Sequence, residues 1–176
     1  MVVYKRASDA EELRQILKLQ QQNLPIRLSL EERRKEGFVT VSHTFDILDQ
    51  MNNACPHFIA KDGNKVVGYA LCMHPKFADE IKVLKPMFDQ ITLALDNGIS
   101  YIVMGQTCIA KAYRNKGVFR KLYKTMKNAI RSEFDCIITE VDANNTRSLS
   151  AHYAVGFIDL KTYRSGGQKW NLIILK

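Results

Sequence analysis

The residues best suited to chemistry lie in CIAKAYRNKGVFRKLY, Cys108 to Tyr123. Arg114, Asn115, Lys116 and Gly117 form a basic glycine loop between an apolar run and an amphipathic one. Such a loop opening a helix is a ready anion site, because the first helical amides lack partners and the helix dipole places positive charge there. Arg120 and Lys121 continue the charge, and the set suits a pyrophosphate. The competing reading is a solvated cationic helix face. Phe119 sharpens the choice, since a ring two residues past the glycine crowds a bound phosphate unless it turns into the core. Neither GxxxxGK[ST] nor GxGxxG occurs, so the P-loop and dinucleotide fingerprints are excluded.

Other reactive types are scattered. Cys55, Cys72, Cys108 and Cys136 have no CxxC spacing, and His43, His57 and His74 have no metal-ligand spacing, so no metal site is expected. Cys108 has no evident His or Asp partner and reads as a buried strand thiol. Gln106, beside Gly105, reads either as a substrate contact or as a strand-edge residue.

The elements that must position these groups follow from periodicity. Val2 to Ala7 reads as a strand, and Ser8 or Asp9 caps a helix with Leu13, Ile16, Leu17 and Leu24 on one face, ended by Asn23-Leu24-Pro25. Ser29 to Glu32 resembles a capping box for a short charged helix stopped at Gly37, and another helix is expected from Thr44 to Met51. His57–Lys61 and Lys65–Met73 make a hairpin about Asp62-Gly63-Asn64. His74 to Gly98 reads as a connection with one or two short helices. Tyr101 to Ala110 is an apolar strand whose interior Gly105 marks a bulge or close approach. From Gly117 a helix carries Val118, Phe119, Leu122, Tyr123, Met126, Ala129 and Ile130 as one stripe. Cys136–Val141 is a strand, Asn145–Val155 a helix, and Phe157–Arg164 and Trp170–Leu175 a hairpin about Ser165 to Gln168. The fold class is α+β: a mixed, mostly antiparallel sheet of about seven strands with helices on both faces.

Composition bounds the partners. One domain fits 176 residues. The formal net charge of +8 admits nucleic acid, anionic membranes or a phosphorylated small molecule. Eight Lys or Arg and no Asp or Glu fall between Lys111 and Arg131, so the charge is local. Interleaved aromatics, a helix-turn-helix pattern and zinc-finger spacing are all lacking, which argues against nucleic acid as the partner. No apolar run approaches a bilayer span and the first residues lack a secretory pattern, so a cytoplasmic chain with no membrane partner is expected. Oligomeric state is not legible; a homodimer is one option.

CIAKAYRNKGVFRKLY resembles the acyl-CoA-binding motif of the GNAT superfamily of N-acyltransferases: Arg or Gln, two residues, Gly, one residue, then Gly or Ala, matched at Arg114, Gly117 and (with a departure) Phe119. NTRSLSAHYAVGF, Asn145 to Phe157, resembles the family's second signature, and the order of elements is similar along nearly the whole chain. The resemblance implies a single acetyltransferase domain over 1–176 with splayed fourth and fifth strands, and direct attack of a primary amine of a small molecule or protein on acetyl-CoA. It implies that the amides of Cys108 and Ile109 meet the pantetheine arm or the acyl carbonyl, and that Arg114, Asn115, Lys116, Gly117, Val118, Phe119 and Arg120 hold the pyrophosphate. Asn145 and Ser148 fall where the family contacts the cofactor arm, although an N-cap explains Asn145 equally. Where the family often has a tyrosine to protonate the departing thiolate, this chain has His152, with Tyr153 one step on, so both are candidate general acids. Glu140, ending an apolar strand, is the candidate general base, set against an exposed strand-end charge. A non-catalytic acyl-CoA-binding domain is the alternative, since it needs the loop but neither acid nor base.

Overall fold

A seven-stranded sheet in the order β1-β2-β3-β4-β5-β7-β6 organises the computed structural model, which describes residues 1–32, 39 and 41–176. The strands are β1 (Val2–Arg6), β2 (Phe58–Asp62), β3 (Lys65–Met73), β4 (Tyr101–Ile109), β5 (Cys136–Asp142), β6 (Ile158–Ser165) and β7 (Gln168–Leu175). All neighbours pair antiparallel except β4 and β5, which are parallel. The helices are α1 (Ala10–Gln22), α2 (Phe45–Ala54), α3 (Lys85–Ala94), α4 (Val118–Ile130) and α5 (Thr146–Tyr153). No described helix is long and apolar enough to cross a membrane.

Alternation along the strands divides the core. Ile59, Tyr69 and Leu71 face α1 and α2 through Leu13, Ile16 and Leu48. Val103, Ile138 and Leu172 face α3 through Met87, Phe88 and Ile91. Ala60, Val67, Ala70 and Ile102 face the opposite way, against the stripe Val118, Leu122, Tyr123, Met126 and Ile130 of α4. Both sheet faces are thus covered.

The local signals in the sequence have direct counterparts. Asp9 caps α1 by accepting from the Glu12 amide. Ser29 and Glu32 form a reciprocal capping box, with Glu32 N donating to Ser29 Oγ and Ser29 N to Glu32 Oε2, both at 3.1 Å. Residues 30–32 are helical, and the expected stop at Gly37 lies outside the described residues. In β4, Gln106 pairs with Leu71 and Met104 with Cys72, so Gly105 is the extra residue of a bulge.

That bulge coincides with the event that makes the site. β4 and β5 pair over only three rows, Tyr101–Val103 with Cys136–Ile138. The last link is Thr139 Oγ1 donating to Met104 O at 2.8 Å. Beyond it the strands separate: β4 continues on β3 and β5 continues on β7. The inner edges left open carry unpaired backbone groups that an extended ligand can satisfy.

Candidate active site

The gap between β4 and β5 opens into a cleft of about 660 Å³. Thr107, Cys108 and Ile109 form its β4 wall, residues 117–120 its floor at the start of α4, and residues 145–148 the facing wall at the start of α5. Two helix N-termini therefore converge on one space. The αL conformations of Asn115 (φ 58°) and Gly117 (φ 76°) turn the chain sharply into α4. Lys121 N bonds Gly117 O at 3.0 Å as the helix begins, so the amides of the preceding first turn point out of the helix start. At α5, Asn145 Oδ1 accepts from Ser148 N at 3.2 Å, which confirms the N-cap role while leaving Asn145 in the cleft wall.

Three arginines line this cleft: Arg114, Arg120 and Arg147. Arg114 donates from Nε to Ile109 O at 3.0 Å and from a terminal nitrogen to Asn23 Oδ1 at 2.7 Å, tying the loop to β4 and to the end of α1. Arg147 donates to Asn115 Oδ1 at 2.8 Å, tying the two helix starts together. Arg120 has no ion pair among the described residues and adds charge at the rim. Lys116 does not line the cleft; its ammonium lies 5.8 Å from the Tyr113 ring centroid, so its side chain packs on the loop. The Phe119 ring is taken up by an aromatic cluster, 4.8 Å from Tyr123 and 5.2 Å from His152, which leaves its backbone to the cleft.

A smaller cavity of about 80 Å³ occupies the gap itself and shares Val39, Thr107, Asn145 and Ser148 with the main cleft. Its carboxylates are Glu140 and Asp142, and Trp170 closes one side. Burial pushes the Glu140 carboxyl up to about 7, opposed by a hydrogen bond from the Tyr163 hydroxyl to Oε2. Glu140 is thus neither an exposed strand-end charge nor a neutralised core group; it sits poised near neutrality inside the gap. Charge is segregated, with arginines at the outer cleft and carboxylates at the inner cavity.

The two candidate acids are placed differently from expectation. His152 is 1% exposed, with ring nitrogen Nδ1 2.7 Å from Ser148 O and Nε2 2.7 Å from the Tyr123 hydroxyl. A carbonyl only accepts, so Nδ1 carries the proton and Nε2 accepts from Tyr123. Burial holds the imidazole down at about 4, hence neutral at pH 7, and its one N–H is spent on Ser148 O. Tyr153, one helical position on, is 40% exposed, donates to Asp159 Oδ1 at 2.7 Å and lines neither cavity. His152 thus lines the inner cavity but spends its N–H on Ser148 O, and Tyr153 lies outside both cavities. The Cys108 thiol is pushed by burial up to about 12, which removes it as a nucleophile.

Gln106 lines the smaller cavity and is a buried hydrogen-bonding hub. Its Oε1 accepts from Gln20 Nε2 and from the Tyr69 hydroxyl, each at 2.7 Å, and its Nε2 donates to Val41 O at 2.8 Å. Asn23, Arg147, Tyr163 and Trp170 escaped the sequence reading. Arg147 alone had a signal, two positions past the helix cap at Asn145. Among the described residues no group of His, Cys, Asp and Glu is placed to hold a metal.

Comparison with known proteins agrees with this geometry. The model of the acetyltransferase (GNAT) family matches residues 13–157. No curated protein matches the chain. Among solved structures, a chain of the NatC complex bound to Gag peptide and CoA is similar at 19% identity and a TM-score of 0.67, over 99% of this chain and 97% of that one. Arabidopsis thaliana Naa50, in complex with the bisubstrate analogue CoA-Ac-MVNAL, is similar at 14% identity and 0.67, over 99% and 98%. The ribosomal-protein-S18-alanine N-acetyltransferase from Escherichia coli is similar at 10% identity and 0.64, over 99% and 93%.

Proposed function

The chain belongs to the acetyltransferase (GNAT) family, and from that premise we propose that it transfers an acetyl group from acetyl-CoA to a primary amine of a small molecule or protein. The observation that carries the reading is the separation of β4 from β5 at Gly105, which opens a backbone edge beside two helix N-termini and three arginines. Those features fit the donor: anionic phosphates against Arg114, Arg120, Arg147 and the amides at the start of α4, and an amide-bearing arm along Thr107 to Ile109. Acetyl-CoA supplies the activated acetyl thioester when bound. Two neighbours solved with CoA or a CoA conjugate support the same ligand here.

The chain's own part is to hold and deprotonate the amine. An ammonium enters the inner cavity towards Glu140 and Asp142, and the Glu140 carboxylate takes its proton near neutral pH. The open β4 edge offers the Ile109 amide to the developing oxyanion, while the Cys108 amide, in the row opposite Tyr69, turns towards β3. No side chain is assigned as general acid, because a thiolate leaves without assistance near its own pKa and His152 and Tyr153 are engaged elsewhere. Structural neighbours include a complex bound to Gag peptide, a ribosomal-protein-S18-alanine N-acetyltransferase and a spermidine N-acetyltransferase chimera, so both protein and small-molecule amines belong in the test. Incubation with acetyl-CoA and a panel of peptides, polyamines and small amines should release thiol with at least one of them. CoA binding without turnover on any amine would favour a binding domain, and failure to bind CoA overturns the assignment.

A further inference from the structure

Tyr163 has no role in the proposed reaction so far, yet its hydroxyl is committed to Glu140, which lines the inner cavity. It lies on β6 opposite Trp170, which lies opposite Asp142 on β5, while Glu140 faces Leu172 two rows along. Tyr163 and Glu140 therefore reach towards each other across β7, and the phenol donates to Glu140 Oε2. The ring packs on the α3-side core, a task phenylalanine would perform equally. The hydroxyl is what packing does not explain.

Charged and titratable neighbours do not supply another partner. Asp142 on β5 engages the Asn144 amide at 2.8 Å, and His152 on α5 is neutral and doubly bonded. Lys161 and Arg164 on β6, and Lys169 on β7, make no ion pair with Glu140 among the described residues, and β4 contributes only Gln106 and uncharged neighbours to the cavity. A buried carboxylate without a cation favours its neutral form, which cannot accept a proton. The one donor to Glu140 among the described residues is Tyr163, and with Oε2 so engaged, Oε1 is left for the amine.

We propose that Tyr163 is a positioning residue that holds the Glu140 carboxylate in the gap, with Oε1 presented to the acceptor ammonium. The step balances simply: one N–H bond of the ammonium breaks, one O–H bond forms at Oε1, and the proton returns to solvent after acetyl transfer. The inference rests on Glu140 being the base. A hydrogen bond to the charged carboxylate holds its midpoint down by roughly one to two units.

Carbon-13 NMR of glutamate-carboxyl-labelled protein reads the pair directly, with Glu140→Gln assigning the resonance. Tyr163→Phe should raise the Glu140 midpoint by about one unit or more. It should move the acid limb of kcat/KM upward by the same amount, measured with the panel amine that turns over best. Site-specific 3,5-difluorotyrosine at 163, a stronger donor of nearly the same shape, should move both downward. These opposite shifts cannot come from a merely structural role. An unmoved midpoint in Tyr163→Phe, alongside an inactive Glu140→Gln, overturns Tyr163 alone. Full turnover in Glu140→Gln overturns the base reading and this inference with it, recognisable by a normal Tyr163→Phe rate despite a shifted midpoint.

Discussion

Replacing His152 by alanine should cost stability, not chemistry. The imidazole is packed edge-on against Phe119, Tyr123 and Phe157 at centroid distances of 5.2, 5.4 and 5.2 Å. Truncation removes that packing and leaves the buried Tyr123 hydroxyl without its 2.7 Å acceptor. An orphaned buried hydroxyl costs about 1–3 kcal/mol and loss of a buried ring adds a cavity term of about 2–3 kcal/mol. The expected total is about 3–6 kcal/mol, or about 6–24 °C in Tm for a domain of this size. Glutamine, which can accept from Tyr123 and donate to Ser148 O, should recover part of the loss. The pH dependence has a defined sign. His152 is held at about 4 when folded, below its ordinary value, so between that value and about 6.5 the unfolded chain binds more protons and wild type loses stability as pH falls. His43, at about 4, and His57, at about 3, add the same slope, so only the difference between wild type and His152→Ala isolates this residue. That difference should narrow from pH 7 to pH 4. Urea denaturation at several pH values measures it, and kcat at 20 °C on folded protein should stay within about twofold of wild type. A hundredfold fall in kcat with unchanged Tm would refute the assignment.

Three further outcomes follow from the same geometry. Arg120→Ala should raise the KM for acetyl-CoA about tenfold, more at low salt, with little change in the KM for the amine, because Arg120 lines only the outer cleft. Cys108→Ala should retain turnover and resist no less to thiol reagents than wild type, since the thiol is buried and protonated, held at about 12. Glu140→Gln should abolish most activity yet stabilise the fold at pH 8. The folded carboxyl is raised to about 7, so wild type loses stability as pH climbs from about 4.5 towards that value, and the variant does not. At pH 4 the two should melt together, which differential scanning fluorimetry can check.

The sequence carried its local geometry well. Gly105 inside an apolar strand, Ser29 with Glu32, and Gly117 after basic residues each encode a backbone event within a few positions, and each event is present. The parting of β4 from β5 came from the family resemblance, because periodicity shows strands but not where their pairing stops. What stayed hidden is non-local. Arg114 meets Asn23 across 91 positions, and Gln106 meets Gln20 across 86. Tyr163 reaches Glu140 only because a register shift between Asp159 and Lys161 resets β6 against β7. His152 and Tyr153 are adjacent in sequence, but about 100° of helical rotation puts one in an aromatic core and the other on the surface. Spacing alone could not tell which of them faced a cleft, and neither presents its proton there.

An amide-detected NMR titration with CoA tests the central claim most directly, because it asks where the ligand binds irrespective of the amine. The gap between β4 and β5 predicts the largest shifts at Cys108, Ile109, Gly117, Val118, Phe119 and Arg120, with smaller ones at Asn145 to Ser148. Shifts confined to other surfaces, or none at saturating CoA, would contradict the account.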